Sequence, residues 1–137
     1  MCGFVGVYSE KRDAIDKNIL EKMKNAIKHR GPNDNGIDIQ YEHGIALGHV
    51  RLSVLDLSKA GHQPMWNIEK SIALVFNGEI YNFTEIKKEL VSKGYCFNSN
   101  CDTEVLLKGY EEWGIDIVKK LNGMFAFAVW DKRDGQL

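Results

Sequence analysis

The chain has 137 residues, 27% of them charged, and a formal net charge of -1 at pH 7. That length suits one domain that buries about two thirds of its unfolded surface. Acids and bases nearly cancel without a basic stripe or an acidic block, which gives no footprint for nucleic acid or an anionic membrane; apolar runs are strand-sized, and no charged leader precedes a long apolar core.

Gly3 to Tyr8 is apolar and rich in β-branched residues, which predicts a buried first strand. Ile15, Ile19, Leu20, Met23 and Ile27 recur at helical spacing, with Glu21, Lys22, Lys24 and Lys28 on the other face. The pattern predicts an amphipathic helix from about Asp16 to Lys28. Arg30 to Gly36 is dense in turn formers and reads as a loop. Ile37 to Tyr41 and Ile45 to Arg51 predict two strands joined across Glu42-His43-Gly44. Ser53 to Lys70 is a long irregular stretch of the kind that often forms binding loops.

Ile72 to Phe76 predicts a fully buried strand ending at Asn77-Gly78. Asn82 with Glu85 three residues on reads as a capping box. The helix behind it carries Ile86, Leu90 and Val91 on one face and stops at Gly94. Tyr95 to Asn98 reads as a short strand. A second helix runs from about Thr103 to Trp113, with Val105, Leu106, Leu107 and Tyr110 as its apolar surface. Phe125 to Trp130 is another strand, followed by the hairpin signal Asp134-Gly135. A strand expected to return after that turn has only Leu137 to begin it. On this reading the Phe125 strand lacks its partner and the sequence is cut short.

The three cysteines, Cys2, Cys96 and Cys101, are too few and too irregular for a disulfide framework. A reducing cytoplasm is the expected compartment. Neither Cys96-x4-Cys101 nor the histidines His29, His43, His49 and His62 show metal-ligand spacing, so no metal is assigned. The chain lacks G-x-x-x-x-G-K-[ST], G-x-G-x-x-G and a nucleophile elbow, and is expected to bind no nucleotide itself.

Cys2 directly follows Met1. Removal of Met1 would put a thiol nucleophile and a free α-amine on one Cα, and the amine's pKa of roughly 7.7–8 suits it to take the thiol proton. The bland alternative is a small apolar residue opening a strand. Asn77-Gly78 has two readings: a tight turn, or an amide and a backbone N–H paired as an oxyanion hole. Arg51 ends an apolar strand, either snorkelling to the surface or offering a bidentate fork to a carboxylate. Asp102 opens a helix, either as a cap on the dipole or as a partner for a ligand ammonium. Arg51 and Asp102 together would bracket an α-amino acid by its two charged ends. Glu79, beside the turn, means little alone.

The motifs Met1-Cys2-Gly3-Phe4-Val5-Gly6, His29-Arg30-Gly31-Pro32-Asn33-Asp34, Gly48-His49-Val50-Arg51-Leu52-Ser53, Gln63-Pro64-Met65, Phe76-Asn77-Gly78-Glu79-Ile80-Tyr81-Asn82, Asp102-Thr103-Glu104 and Leu121-Asn122-Gly123-Met124-Phe125-Ala126-Phe127 occur in order along nearly the whole chain. In them the chain resembles class II glutamine amidotransferases, in particular the glutaminase domain of glutamine-hydrolysing asparagine synthetases, with Asn33 where the family usually has Asp. The resemblance implies an α+β fold of the N-terminal-nucleophile hydrolase type: a four-layer αββα sandwich of two antiparallel sheets between helices, here C-terminally incomplete. It implies that Cys2 attacks the glutamine side-chain amide, that Asn77 and Gly78 hold the oxyanion, that Arg51 holds the substrate carboxylate, and that Asp102 with Glu79 holds its amine. It further implies a synthetase domain in cis that uses ATP and Mg to amidate aspartate with the released ammonia, and a possible homodimer. Residues 1–137 would be the N-terminal part of the amidotransferase domain. Two alternatives remain at this stage: an acceptor other than aspartate, such as a sugar or another carboxylate, and a catalytically silent module.

Overall fold

The computed structural model describes residues 2–11, 15–53 and 58–137. Its strands are β1 (Gly3–Tyr8), β2 (Asp34–Gln40), β3 (Ile45–Arg51), β4 (Met65–Trp66), β5 (Ile72–Ile80) and β6 (Gly123–Asp131). Its helices are α1 (Lys17–Ala26), α2 (Phe83–Ser92) and α3 (Asp102–Trp113). The strands form two antiparallel sheets, ordered β1-β3-β2 and β4-β5-β6.

Strand alternation sorts the apolar residues into four layers. Val5, Val7 and Ala46 turn toward Leu20 of α1. Phe4, Ile45 and Leu47 turn the other way and meet Ala73 and Val75 of β5 between the sheets. Ile72, Leu74, Phe76 and Ile80 face the opposite side of the second sheet, where Ile86 and Leu90 of α2 and Val105 and Leu106 of α3 cover them. The result is the α-β-β-α sandwich that the resemblance implied.

Several expectations need correction. The loop from Arg30 gives way to β2 already at Asp34, three residues before Ile37, because Asp34, Asn35 and Gly36 pair with Arg51, Val50 and His49. Asn77-Gly78 is not a turn; β5 runs through it to Ile80, paired with β6 throughout. Tyr95 to Asn98 forms no strand, since the Tyr95 N–H returns to Leu90 O and the Asn98 N–H goes to the Glu104 carboxylate. Asn82 stands at the N-cap of α2 but makes no capping bond. Its side chain instead donates to Lys120 O and accepts from Asn122 N–H, tying the helix start to the entry of β6.

Lys24, placed on the polar face of α1, is buried, with Nζ 2.7 Å from Asn35 Oδ1 and 2.8 Å from Glu21 Oε2. Ile19 and Val91, placed on apolar faces, are exposed. The irregular stretch after Ser53 contains β4 and a short 3-10 turn over Lys59–Gly61; residues 54–57 lie outside the described residues. β6 does not lack a partner, because β5 pairs with it from Gly123 to Asp131. The Asp134-Gly135 turn does form, and returns Gln136 to exchange two backbone bonds with Asp131.

Candidate active site

The site begins where β5 loses its neighbour. β4 reaches only as far as the Met65–Leu74 pair, while β5 continues six residues further along β6. In an antiparallel ladder successive residues aim their N–H and C=O groups to opposite edges. The even-numbered residues of β5 therefore aim away from β6. Ile72 bonds Asn67 on that side, and Tyr81, of odd number, bonds Asn122 beside β6.

Beyond β4, side chains complete the ladder. The Phe76 N–H donates to Gln63 Oε1 at 2.7 Å, and the Phe76 carbonyl accepts from His49 Nε2 at 3.0 Å. The Ile80 N–H donates to Asp102 Oδ2 at 3.1 Å. Between them the Gly78 N–H points to the same edge, and among the described residues nothing accepts from it. Asn77, Gly78 and Glu79 are the half-buried residues of an otherwise buried strand. The absence of a Cβ at Gly78 is required by close approach: a Cβ there would lie 2.6 Å from Phe125 Cα and nearer still to the Met124 carbonyl oxygen.

The odd-numbered side chains of β5 face the other sheet, so Asn77 and Glu79 extend the row begun by Ala73 and Val75. The Asn77 Oδ1 is buried and without a hydrogen-bond partner, which leaves its amide nitrogen as the group at the accessible side. On the facing sheet the row Ile45, Leu47, His49 and Arg51 continues to the same end, since His49 reaches Phe76 O. Cys2 arrives there beside β3. Gly3 pairs with Val50, and the Cys2 Sγ lies 3.3 Å from Leu52 N, which donates to it, and 3.5 Å from Leu52 O. Cys2 is half-buried and its thiol is free. Met1, on whose removal the α-amine depends, lies outside the described residues.

Arg51 is buried, and its Nη1 donates to Ser58 O at 2.7 Å. Gly61 lies against the guanidinium, which a side chain there would have to displace. A concavity of about 450 Å³ on one flank of Arg51 is lined by Asn33, Asp34, Ser53, Ser58 and Lys59. Asp102 is 5% exposed. Burial drives its pKa from 3.8 up to about 6, and nearby Glu79 adds to the rise, while the Ile80 N–H opposes it. A buried carboxylate held that high is set to gain from an incoming cation. The sequence-predicted residues thus lie at the start of β1, the ends of β3 and β5, and the start of α3.

Sequence reasoning missed the supports. Arg30 Nε donates to Cys2 O at 2.9 Å and pins the Cys2 carbonyl. Gly31 lets the chain cross the Val50–Arg51 backbone, with which any Cβ would collide. His49 is fully buried, and desolvation lowers its pKa from 6.5 to about 4, so it is neutral at pH 7 with the proton on Nε2 facing Phe76 O. Gln63 is buried, and Nε2 donates to Thr103 Oγ1 at 3.3 Å. The motif text held these residues, but periodicity carries no information on contacts between distant segments. Cys96 is exposed, and Cys101 is buried with its thiol pKa raised by desolvation. Among the described residues no group of three His, Cys, Asp or Glu can hold a metal ion.

The four-layer sandwich matches known structures. The glutamine phosphoribosylpyrophosphate amidotransferase of B. subtilis, solved with ADP and GMP, superposes with a TM-score of 0.76 at 21% identity, over 96% of this chain and 35% of that one. A family model described as a glutamine amidotransferase domain matches residues 1–137, and the chain belongs to that family. Among curated relatives, glutamine-hydrolyzing asparagine synthetase 1 of Bacillus subtilis is 42% identical over 98% of this chain and 21% of its own length. Asparagine synthetase B of Escherichia coli is 40% identical over 96% of this chain and 23% of its own length. The chain therefore spans less than a quarter of these relatives' lengths.

Proposed function

We propose that the chain is the glutaminase part of a glutamine-hydrolysing asparagine synthetase. The observation that carries this reading is the Gly78 N–H, without an acceptor among the described residues, beside the Asn77 amide at the end of the sandwich where the Cys2 thiol is held. Once Met1 is removed, the Cys2 α-amine takes the thiol proton and the sulfur attacks the side-chain carbonyl carbon of glutamine. A C–S bond forms, and the carbonyl oxygen becomes an oxyanion that accepts from Asn77 Nδ2 and Gly78 N–H. The ammonium now on Cys2 returns the proton to the amide nitrogen, the C–N bond breaks, and ammonia leaves. Water then attacks the thioester, the C–S bond breaks, and glutamate departs with the thiol restored.

Arg51 and Asp102 hold the substrate's α-carboxylate and α-ammonium, with Glu79 adding negative charge beside Asp102. Ammonia passes to a synthetase region in cis that uses ATP and Mg to activate aspartate. The site residues of this chain take no part in that step. A reducing, cytoplasmic setting keeps Cys2 as a thiol, and no helix among the described residues is long and apolar enough to cross a membrane. The protein works as a homodimer in this proposal.

The test is glutamate release by the intact protein. Cys2→Ala is expected to abolish it, and Asn77→Ala to lower kcat by about 10²- to 10³-fold, as for loss of one oxyanion donor. Undiminished release from Cys2→Ala would remove the mechanism.

A further inference from the structure

Asn77 and Gly78 can act as a donor pair only if the β5 backbone is held in one orientation at an edge that has no neighbouring strand. Three side chains bear on that edge, and two converge on one residue. Gln63 accepts from the Phe76 N–H and His49 donates to the Phe76 carbonyl, both in fully buried contacts. The Phe76 carbonyl belongs to the Phe76–Asn77 peptide, so fixing it fixes the plane from which the Asn77 side chain departs. Gln63 is itself moored to Thr103 in the first turn of α3, next to Asp102, which takes the Ile80 N–H directly. The start of α3 thus grips β5 on both sides of Gly78, once through Gln63 and once through Asp102.

We infer that Gln63 and His49 are positioning residues for glutamine hydrolysis: they hold the Phe76 N–H and carbonyl, in the two peptides that flank its Cα, in place of a neighbouring strand and so aim the Asn77 amide and the Gly78 N–H at one oxyanion. The inference rests on the proposed glutaminase reading and goes beyond it in assigning roles to two residues that touch neither substrate nor nucleophile. The geometry divides the labour. Substrate ends are held by Arg51 and Asp102, so loosening the clamp acts on the transition state and leaves ground-state binding in place. His49 serves through its Nε2–H; its lowered pKa keeps the ring neutral, and Phe76 O fixes that tautomer.

The experiment measures steady-state glutamate release by the intact protein carrying Gln63→Leu, His49→Phe or His49→Gln, alone and combined with Asn77→Ala. Gln63→Leu and His49→Phe are each expected to lower kcat by about 10-fold or more with KM for glutamine changed less than about twofold. His49→Gln, which retains an N–H donor at the ε position, recovers part of the loss. In the Asn77→Ala background Gln63→Leu should cost less than about threefold, because one of the two donors it aims is already gone. If Gln63→Leu fails to fold, Thr103→Val releases the Gln63 amide without touching Phe76 and is expected to lower kcat in the same pattern. Equal losses from Gln63→Leu with and without Asn77, or a rise in KM at constant kcat, would overturn the clamp. Failure of the glutaminase reading is distinguishable, since Cys2→Ala and Asn77→Ala would then leave glutamate release intact.

Discussion

Asp102→Asn separates what the fold tolerates from what the site requires. Asn keeps an oxygen to accept the Ile80 N–H and removes only the ionisable group. In the folded protein the Asp102 carboxyl is raised from 3.8 to about 6, chiefly by burial. At about 1.4 kcal/mol per pKa unit, that rise corresponds to about 3 kcal/mol. The sign follows from proton binding. Between pH 4 and 6 the folded state holds more protons at this group than the unfolded state, so its contribution to stability is full below pH 4 and is lost as pH rises through 6. The variant should therefore be more stable than the parent by up to about 3 kcal/mol at pH 8, with the gap closing toward pH 4.

Urea unfolding from pH 8 to pH 4 reads this directly as a difference in midpoint of about 1–2 M at high pH. Glutamine kinetics are expected to move the opposite way. Loss of a charge-assisted contact of about 1.5–3 kcal/mol to the substrate ammonium raises KM roughly 10- to 100-fold. The parent's own KM should climb as pH falls below 6, where Asp102 takes a proton. A variant that matches the parent's unfolding midpoint at every pH, or that keeps its KM, would refute the reasoning.

Gly78→Ala forces a methyl against Phe125 Cα and the Met124 carbonyl oxygen, so β5 and β6 must part. The expected loss is about 1–3 kcal/mol of stability, together with glutamate release, read by thermal melting and kcat; an unchanged melting temperature with kcat within twofold would contradict it. Arg51→Lys replaces a fork, one arm of which bonds Ser58 O, with a single ammonium. KM for glutamine is expected to rise about tenfold at near-constant kcat, and an unchanged KM would take Arg51 out of carboxylate binding.

Local chemistry made much of the fold legible. Short apolar runs marked β1, β3 and the buried part of β5; apolar residues at helical spacing marked α2 and α3, and Gly94 marked the end of α2. Misreadings arose where distant groups outbid local ones. Asn82 carries the signature of a cap, yet its side chain spans to Lys120 and Asn122. Asn77-Gly78 carries the signature of a hairpin turn, yet pairing with Ala126 and Phe125 keeps it extended. Lys24 belongs to the polar set of α1, yet β2 supplies Asn35 to satisfy its buried ammonium.

Residue chemistry marked Cys2, Arg51, Asn77, Gly78 and Asp102 as candidates, each beside a bland alternative, because reactive and charged groups are named by the residues themselves; their joint roles, and that of Glu79, came with the family resemblance. What the chain order could not hold is convergence. Arg30 on the Cys2 carbonyl, and Gln63 and His49 on the Phe76 N–H and carbonyl at one edge of β5, come from segments far apart in sequence. The stacking of the two sheets, and the early end of β4, leave the Gly78 N–H of β5 open among the described residues. That vacancy exists because an edge strand's hydrogen bonds are decided by its neighbours in space, not by its own residues.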